Sequence, residues 1–370
     1  MVSACGIPVP SFQPLGQAID MLAELTARVS QPEDLDSSLV RQAVRALVDP
    51  AVSAETKADF LTAMSRKGET PEEIAAFARE LRERSEPLPL SNMLRSEEIL
   101  DVCGTGGDRL NTFNISTTVA LVCAAAGCVV AKHGNRAITS QSGSADVLQA
   151  LGIPVGLSPT EAAASLERHG FAFLFAPRFH PSFQHIAPAR KLCAERGQRT
   201  VFNLLGPLLN PACPSGQLVG VPRPSNCEPI ARTLLALGLR RAMVVCGEVP
   251  LTSSEGTAYL DELSTLGENT VAEFHQERGF SRTQWSARDF PLQTATLADL
   301  AGGDAATNAG IVRSILSSED RGPKRDAVLL NAGAALLVAG RSRSITEGWD
   351  QAAETIDSGK ALRKLQDLTA

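Results

Sequence analysis

From Ile99 onward, short apolar runs of strand composition alternate with runs whose apolar residues recur at helical spacing. The strand-like runs are 99–103, 128–131, 171–175, 217–221, 243–246 and 270–274, and helical spacing marks 117–126, 146–151, 161–168 and 229–237 between them. This alternation restricts the region to an α/β layer fold, because consecutive parallel strands need a crossover long enough to hold a helix. Further helical runs at 308–316 and 327–338 extend the layer toward the C-terminus.

The first part of the chain has a different pattern. Residues 11–84 form a run of short helices: Leu15, Ile19, Leu22 and Val29 share one helical face, as do Leu39, Ala43, Ala46 and Leu47. Ser53 precedes a third segment, and Thr70-Pro71-Glu72-Glu73 is a capping box with proline at the first helical position. Residues 85–96 break the pattern with two prolines and form a linker. The expected division is therefore a helical domain over 1–90 and an α/β domain over 91–370.

Composition excludes several function classes. The net charge of −6 gives no bulk attraction for nucleic acid or an anionic membrane, and aromatics at 4% are too few for a base-stacking surface. The eight cysteines (5, 103, 123, 128, 193, 213, 227 and 246) form no C-x-x-C pair, and several lie in apolar runs, as buried free thiols of a reducing cytoplasm do. No basic segment precedes an apolar stretch at the N-terminus, so no signal peptide is expected. The longest apolar run, 118–132, is too short to span a bilayer.

Three constellations carry chemistry. Gly104-Thr105-Gly106-Gly107-Asp108 follows the first strand, where glycines let backbone N–H groups turn toward an anion. Asn114-Ile115-Ser116-Thr117 then opens an apolar helix, itself an anion-favouring terminus. Ser116 and Thr117 suit either a helix cap or phosphate oxygens, and the Ser116 hydroxyl also suits Mg²⁺. A plain glycine-rich turn would look similar. A dinucleotide loop would not, because the third glycine comes too early and a polar stretch separates it from the helix.

Lys132-His133-Gly134-Asn135-Arg136 follows the second strand, with Ser140, Ser142-Gly143-Ser144 and Asp146 close behind. Lys132 suits a phosphate. A solvated loop with a helix cap near Ser144 is the plainer alternative. Both loops follow strands of one strand–helix–strand unit, so both are expected at the same sheet end, where ligands collect. The third constellation is the adjacent pair Asp261-Glu262. Such acids are usually just solvated, but Mg²⁺ on a phosphorylated ligand takes one or two carboxylates.

Together these segments resemble the signature motifs of the anthranilate phosphoribosyltransferase family. The motifs are residues 101–108, 111–117, 132–136 and 142–148, then Phe202-Asn203-Leu204-Leu205-Gly206-Pro207-Leu208 with Asn210-Pro211, and Leu260 to Ser264. Gly302-Gly303-Asp304, Asn308 and Asn331-Ala332 also fit, so the likeness spans nearly the whole chain. The resemblance implies a small helical domain on a large α/β domain of the nucleoside phosphorylase/phosphoribosyltransferase type, with residues 178–200 packed against the helical part. It implies a homodimer, to which the cysteine and charge readings add a cytoplasmic location without nucleic-acid or membrane partners. Gly104, Gly107, Asp108, Thr112, Asn114, Ile115, Ser116, Thr117, Lys132 and Ser144 would hold phosphoribosyl pyrophosphate (PRPP). Ser116, Asp261 and Glu262 would hold two Mg²⁺, while Gly104, His133, Asn135, Arg190 and Pro207 would bind anthranilate. The segment after Arg190 is a few residues longer than in most relatives, which leaves Arg196 and Arg199 as alternatives; Thr139 and Gln141 are milder departures.

The chemistry implied is displacement of pyrophosphate from the anomeric ribose carbon by an amine. No Ser-His-Asp or Cys-His arrangement offers an enzyme nucleophile, so His133 and Arg190 are positioning candidates, with His133 also open as a base. A pyrimidine nucleoside phosphorylase on the same fold and a non-catalytic nucleic-acid-binding relative are the competing readings. The run 243–257 faintly matches the PRPP loop of a different phosphoribosyltransferase fold but lacks its paired acids.

Overall fold

A computed structural model describes residues 15–137, 141–251 and 256–370. Cys5, Thr139 and Ser140, and part of the 243–257 run, lie outside the described residues. The described residues divide into two compact units: one comprises 15–81 with Ser182–Asn203, the other Arg82–Pro181 with Leu204–Ala370. Residues 82–90 thus group with the second unit.

The first unit is helical: Leu15–Ser30, Ser37–Val48, Ala54–Lys67 and Pro71–Arg82, joined by Ala187–Glu195 from later in the chain. Its helix starts follow from short polar side chains that accept otherwise orphaned N–H groups. Asp36 accepts from Ser38 and Leu39, and Ser53 accepts from Thr56. The capping box expected at 70–73 forms in both directions, Glu73 N–H to Thr70 Oγ1 at 3.2 Å and Thr70 N–H to Glu73 Oε2 at 2.9 Å. Buried Glu73 also accepts from Leu35 N–H and from Lys67, so one carboxylate ties three segments together. Val40, Phe60, Leu61, Met64 and Phe77 fill the core between the helices.

The second unit is built on one eight-stranded sheet. Its strands are β1 Ile99–Gly104, β2 Val129–Gly134, β3 Phe171–Phe175, β4 Gly216–Gly220, β5 Arg241–Pro250, β6 Thr257–Leu260, β7 Glu268–His275 and β8 Gly279–Ser286. The order is β3-β2-β1-β4-β5-β7-β8, with β6 paired to β5. β1 to β5 are mutually parallel where they pair; β6, β7 and β8 run antiparallel. Helices Ile115–Ala125 and Pro323–Val338 pack together beneath the parallel part and supply much of the core.

Several boundaries differ from the sequence expectation. The strand expected at 128–131 runs to Gly134, because His133 and Gly134 still pair with Leu174 and Phe175 of β3. Lys132 and His133 therefore belong to a strand rather than a loop. The helix expected from 117 starts at Ile115 with Asn114 at its cap position, so Ser116 and Thr117 lie in its first turn and do not cap it. The linker holds a short helix, Asn92–Ser96. β6, β8 and the helices Ile345–Asp357 and Lys360–Thr369 had no counterpart in the reading of the sequence.

Candidate active site

All the strand-end features meet at the C-terminal edge of the parallel sheet. Gly104 is opposite Gly220 in the β1–β4 register, and β1 and β2 run parallel, so the loops after Gly104 and Gly134 leave the same edge. β6 returns antiparallel to β5 with Leu260 opposite Gly247, two residues beyond the Val245 that pairs with Gly220. That register delivers Asp261 and Glu262 to the same edge, some 155 residues along the chain from Gly106.

The approach is so close that two glycines are required. A methyl group on Gly104 would overlap the Asp261 carboxylate, and one on Gly220 would overlap the Asp261 backbone carbonyl. Gly106 and Gly107 have φ of +74° and +89°, a conformation costly for side-chain-bearing residues. This turn aims the Gly106 N–H at Asp261 Oδ2, 2.6 Å away, while Thr105 N–H donates to Gly220 O. Arg109 and Asn111 also take positive φ, and Gly302 N–H and Phe113 N–H tie the rest of the loop to 300–302.

The start of helix Ile115–Ala125 is held from the same side. Ser116 N–H donates to Glu262 Oε1 at 3.1 Å. The Lys132 ammonium, 1% exposed, donates to Val102 O at 2.6 Å and to Ser116 Oγ at 3.4 Å. Asn114 accepts from Asn308 and donates to Ser142 O, so its amide braces the second loop. Ile115 and Thr117 are buried, and the Thr117 hydroxyl has no partner among the described residues. Thr112 bridges Ala301.

The acids form a charged knot. Burial pushes the Asp261 carboxyl well above its ordinary value, with Asp108 and Glu262 adding like-charge repulsion. Glu262 is pushed up to about 7, first by burial, against the opposing attraction of Lys132. Among the described residues no three His, Cys, Asp or Glu side chains form a ready metal cage. Two buried carboxyls held up this way fit Mg²⁺, which takes few protein ligands and completes its shell with water and ligand oxygens. A divalent cation here would also relieve the repulsion that Lys132 only partly offsets.

A second group of residues lies along β1 and β2. His133 is buried; its Nδ1 is 3.3 Å from Gly206 O and so carries the proton, leaving the Nε2 lone pair without a partner among the described residues. Burial and the nearby His180 ring, 5.2 Å away centroid to centroid, drive the His133 titration down to about 3. The imidazole is neutral near pH 7 and too weakly basic to act as a strong general base. Its backbone N–H faces Asp101, a fully buried carboxylate that also accepts from Asn210 at 2.8 Å and Gln217 at 3.2 Å. Gln217 in turn donates to Pro207 O at 2.9 Å. Asp101 entered the sequence reading only as the first residue of the 101–108 motif, and His180, Gln217 and Gly220 were given no role; the available signals were polar residues within apolar strand runs.

The described ends of the loop after β2 are tied together. Asp146 accepts from Arg136, Ala137 N–H and Gly143 N–H, which shapes the start of helix Ser144–Leu151. Ser144 is the first residue of that helix, and the Asn135 carbonyl accepts from Ala145 N–H. Arg190 lies in the helical unit on helix Ala187–Glu195, its guanidinium 5.6 Å from the Phe202 ring centroid. It pairs with no carboxylate among the described residues, whereas Arg196 is committed to Asp59 at 3.3 Å.

Comparison with known proteins agrees with this arrangement. Residues 96–362 match a profile described as glycosyl transferase family, a/b domain, and residues 22–85 match the helical bundle domain of the same family. An anthranilate phosphoribosyltransferase of Petrotoga mobilis is 44% identical over 341 residues, covering 92% of this chain and 94% of the relative. The anthranilate phosphoribosyltransferase structure from Thermus thermophilus superposes with TM-score 0.82 at 41% identity, covering 93% and 98% of the two chains. The Saccharomyces cerevisiae enzyme in complex with PRPP and Mg superposes with TM-score 0.81 at 28% identity, covering 95% and 97%. The same yeast enzyme has been solved with 4-fluoroanthranilate. The chain belongs to the glycosyl transferase family that joins a helical bundle to this α/β domain, among its anthranilate phosphoribosyltransferases.

Proposed function

We infer that the chain transfers the phosphoribosyl group of PRPP to the amine of anthranilate, giving N-(5-phosphoribosyl)anthranilate and pyrophosphate in tryptophan biosynthesis. The observation that carries this reading is the clasp at the sheet edge, where Gly106 N–H meets Asp261 and Ser116 N–H meets Glu262. The competing phosphorylase reading gives way to the likeness to anthranilate phosphoribosyltransferases over more than nine-tenths of the chain.

In this reading the glycine turn and the helix start present N–H groups to the phosphates of PRPP, with Gly104, Gly107, Asp108, Thr112, Asn114, Ile115, Thr117, Lys132 and Ser144 around them. Ser116, Asp261 and Glu262 would hold Mg²⁺, as two ions. Metal held there would supply positive charge against the negative charge that grows on departing pyrophosphate. The C–O bond breaks with its electron pair on pyrophosphate, and the ribose carbon takes oxocarbenium character. The aniline nitrogen then bonds to that carbon from the opposite face and sheds a proton as an acidic anilinium, so no strong base is required. His133 acts through its free Nε2, which accepts an N–H of the amine and orients the lone pair toward the sugar. Asn135, Pro207 and Gly104 border the aromatic ring, and Arg190 takes the anthranilate carboxylate. The buried thiols at 103, 123, 128, 193, 227 and 246 accord with a reducing cytoplasm, and no helix of the described residues is long and apolar enough to cross a membrane. The enzyme is proposed to act as a homodimer.

Mixing the protein with PRPP, Mg²⁺ and anthranilate should quench anthranilate fluorescence and release one pyrophosphate per amine consumed. Persistent fluorescence with folded protein at saturating substrates would refute the assignment.

The raised Glu262 titration gives a signed pH prediction. Its folded value, about 7, exceeds the ordinary 4.5. In the metal-free protein its contribution to stability is therefore full below pH 4.5 and is lost as pH rises through about 7. Mg²⁺ needs the ionised carboxylate, so apparent Mg²⁺ affinity should climb between pH 6 and 7.5, by up to about tenfold per unit for one proton released. Calorimetry in two buffers of different ionisation heat would count that proton. A pH-independent affinity, or the same slope in Glu262→Gln, would remove Glu262 from the metal site.

A further inference from the structure

The opposite, N-terminal edge of the sheet carries a cavity of about 590 Å³. It opens where β1 and β4 begin, bordered by Ile99, Ser215 and Leu239, so it is separate from the clasp at the C-terminal edge. Three arginines line it: Arg82, Arg95 and Arg240. Glu97 is the acidic residue of the lining, and Arg240 is already paired with Glu98 at 2.6 Å.

Arg82 is the anomaly. Its Nε donates to Leu208 O at 2.5 Å, but its Nη2 is buried with no hydrogen-bond partner, and no carboxylate among the described residues forms an ion pair with it. A buried guanidinium left this way is costly, and such groups call for a partner. Burial draws its titration downward; Cys213, which hydrogen-bonds the guanidinium and leaves its Nη2 unserved, and Asp101 oppose this, and Asp101 is already taken up by Asn210 and Gln217. Arg95, which is exposed, uses its Nε on Leu90 O. Set against Glu97 and Glu98, the three guanidiniums leave this recess a net charge of about +1 in a chain of net charge −6.

We propose that this cavity is a second anion site, which binds a phosphate group through Arg82 and Arg95, with Ser215 and Ser96 at its rim. The arrangement matches phosphate because guanidiniums present forked donors to its oxygens. The phosphate comes either as the free ion or on a small ester whose organic part rests on Leu90, Ala212 and Leu239.

Cys213 provides the reporter. It lines the cavity and is exposed, while every other cysteine of the described residues is buried. Alkylation of Cys213 by iodoacetamide, followed by mass spectrometry of its peptide, reads occupancy without reference to catalysis. Inorganic phosphate should slow the labelling at least about fivefold with a saturable midpoint, while sodium chloride at equal ionic strength should not. Arg95→Gln should raise that midpoint at least about tenfold, a loss of one charge-assisted contact; Arg82→Gln should abolish saturation. If Arg82→Gln does not fold, the exposed Arg95→Gln still decides. No protection beyond chloride, or an unchanged midpoint in Arg95→Gln, would overturn the site. A lower midpoint for phenyl phosphate than for inorganic phosphate identifies an ester ligand; an equal or higher one identifies the free ion.

Discussion

Replacing both acids of the β6 turn, Asp261→Ala with Glu262→Ala, is expected to lower turnover by on the order of a thousandfold at saturating PRPP, about 4 kcal/mol of transition-state stabilisation. The Mg²⁺ titration should also lose its saturable phase. The size follows from how few tasks the site has. The proposed reaction has no covalent step for the protein to share, so stabilising charge on departing pyrophosphate is its main task. Folding is a separable question here. Both carboxyls are held up by burial, with repulsion from Asp108 on each, so their removal takes away a strain that grows with pH. The same acids also fasten Gly106 and Ser116, which removal would release. Asp261→Asn with Glu262→Gln keeps acceptor oxygens for those N–H groups and discards only the charge. It should melt no lower than wild type at pH 8 while showing the same catalytic loss. A wild-type metal titration in either double variant would exclude both residues from the metal site.

The parts of this site that are local in sequence were legible, and the parts that depend on register were not. Gly104 to Asp108 and Asn114 to Thr117 advertise a phosphate loop because glycine φ and helix-start chemistry are properties of short segments. Lys132 was legible as a cation near the loops, but its place inside β2, with its ammonium on Val102 O and the Ser116 hydroxyl, follows from pairing with β3. Asp261-Glu262 was an ambiguous pair in the sequence; what gives it meaning is the antiparallel return of β6 and the two glycines that admit the Asp261 carboxylate and backbone. The Asp101–Asn210–Gln217 network joins residues more than a hundred positions apart, and no periodicity encodes it. In the fold, the parallel core was visible because doubly buried strands read as apolar runs. β8 was missed because it is a largely exposed edge strand whose composition resembles a loop, and β6 because it has only four residues.

Arg190→Ala should raise the KM for anthranilate by about a hundredfold, roughly 3 kcal/mol for a lost bidentate contact to a carboxylate, and leave the KM for PRPP within about threefold. The choice among the three candidate arginines rests on the helical unit's own geometry. Arg196 is held by Asp59, while Arg190 has its guanidinium over the Phe202 ring, which in turn packs edge-on against Phe183 at 5.8 Å. An aromatic platform fixes the plane of the guanidinium and leaves its edge for a planar carboxylate. Arg190→Lys should recover only part of the affinity, because an ammonium cannot offer two parallel donors in that plane. Arg196→Ala should leave both KM values near wild type and cost at most the small stability of an exposed ion pair. Discrimination among substrates sharpens the test: aniline, which lacks the carboxylate, should be used equally poorly by wild type and Arg190→Ala. Equal rises in the two KM values for Arg190→Ala would instead assign this residue to holding the helical unit together, and the carboxylate partner would then be sought at Arg199.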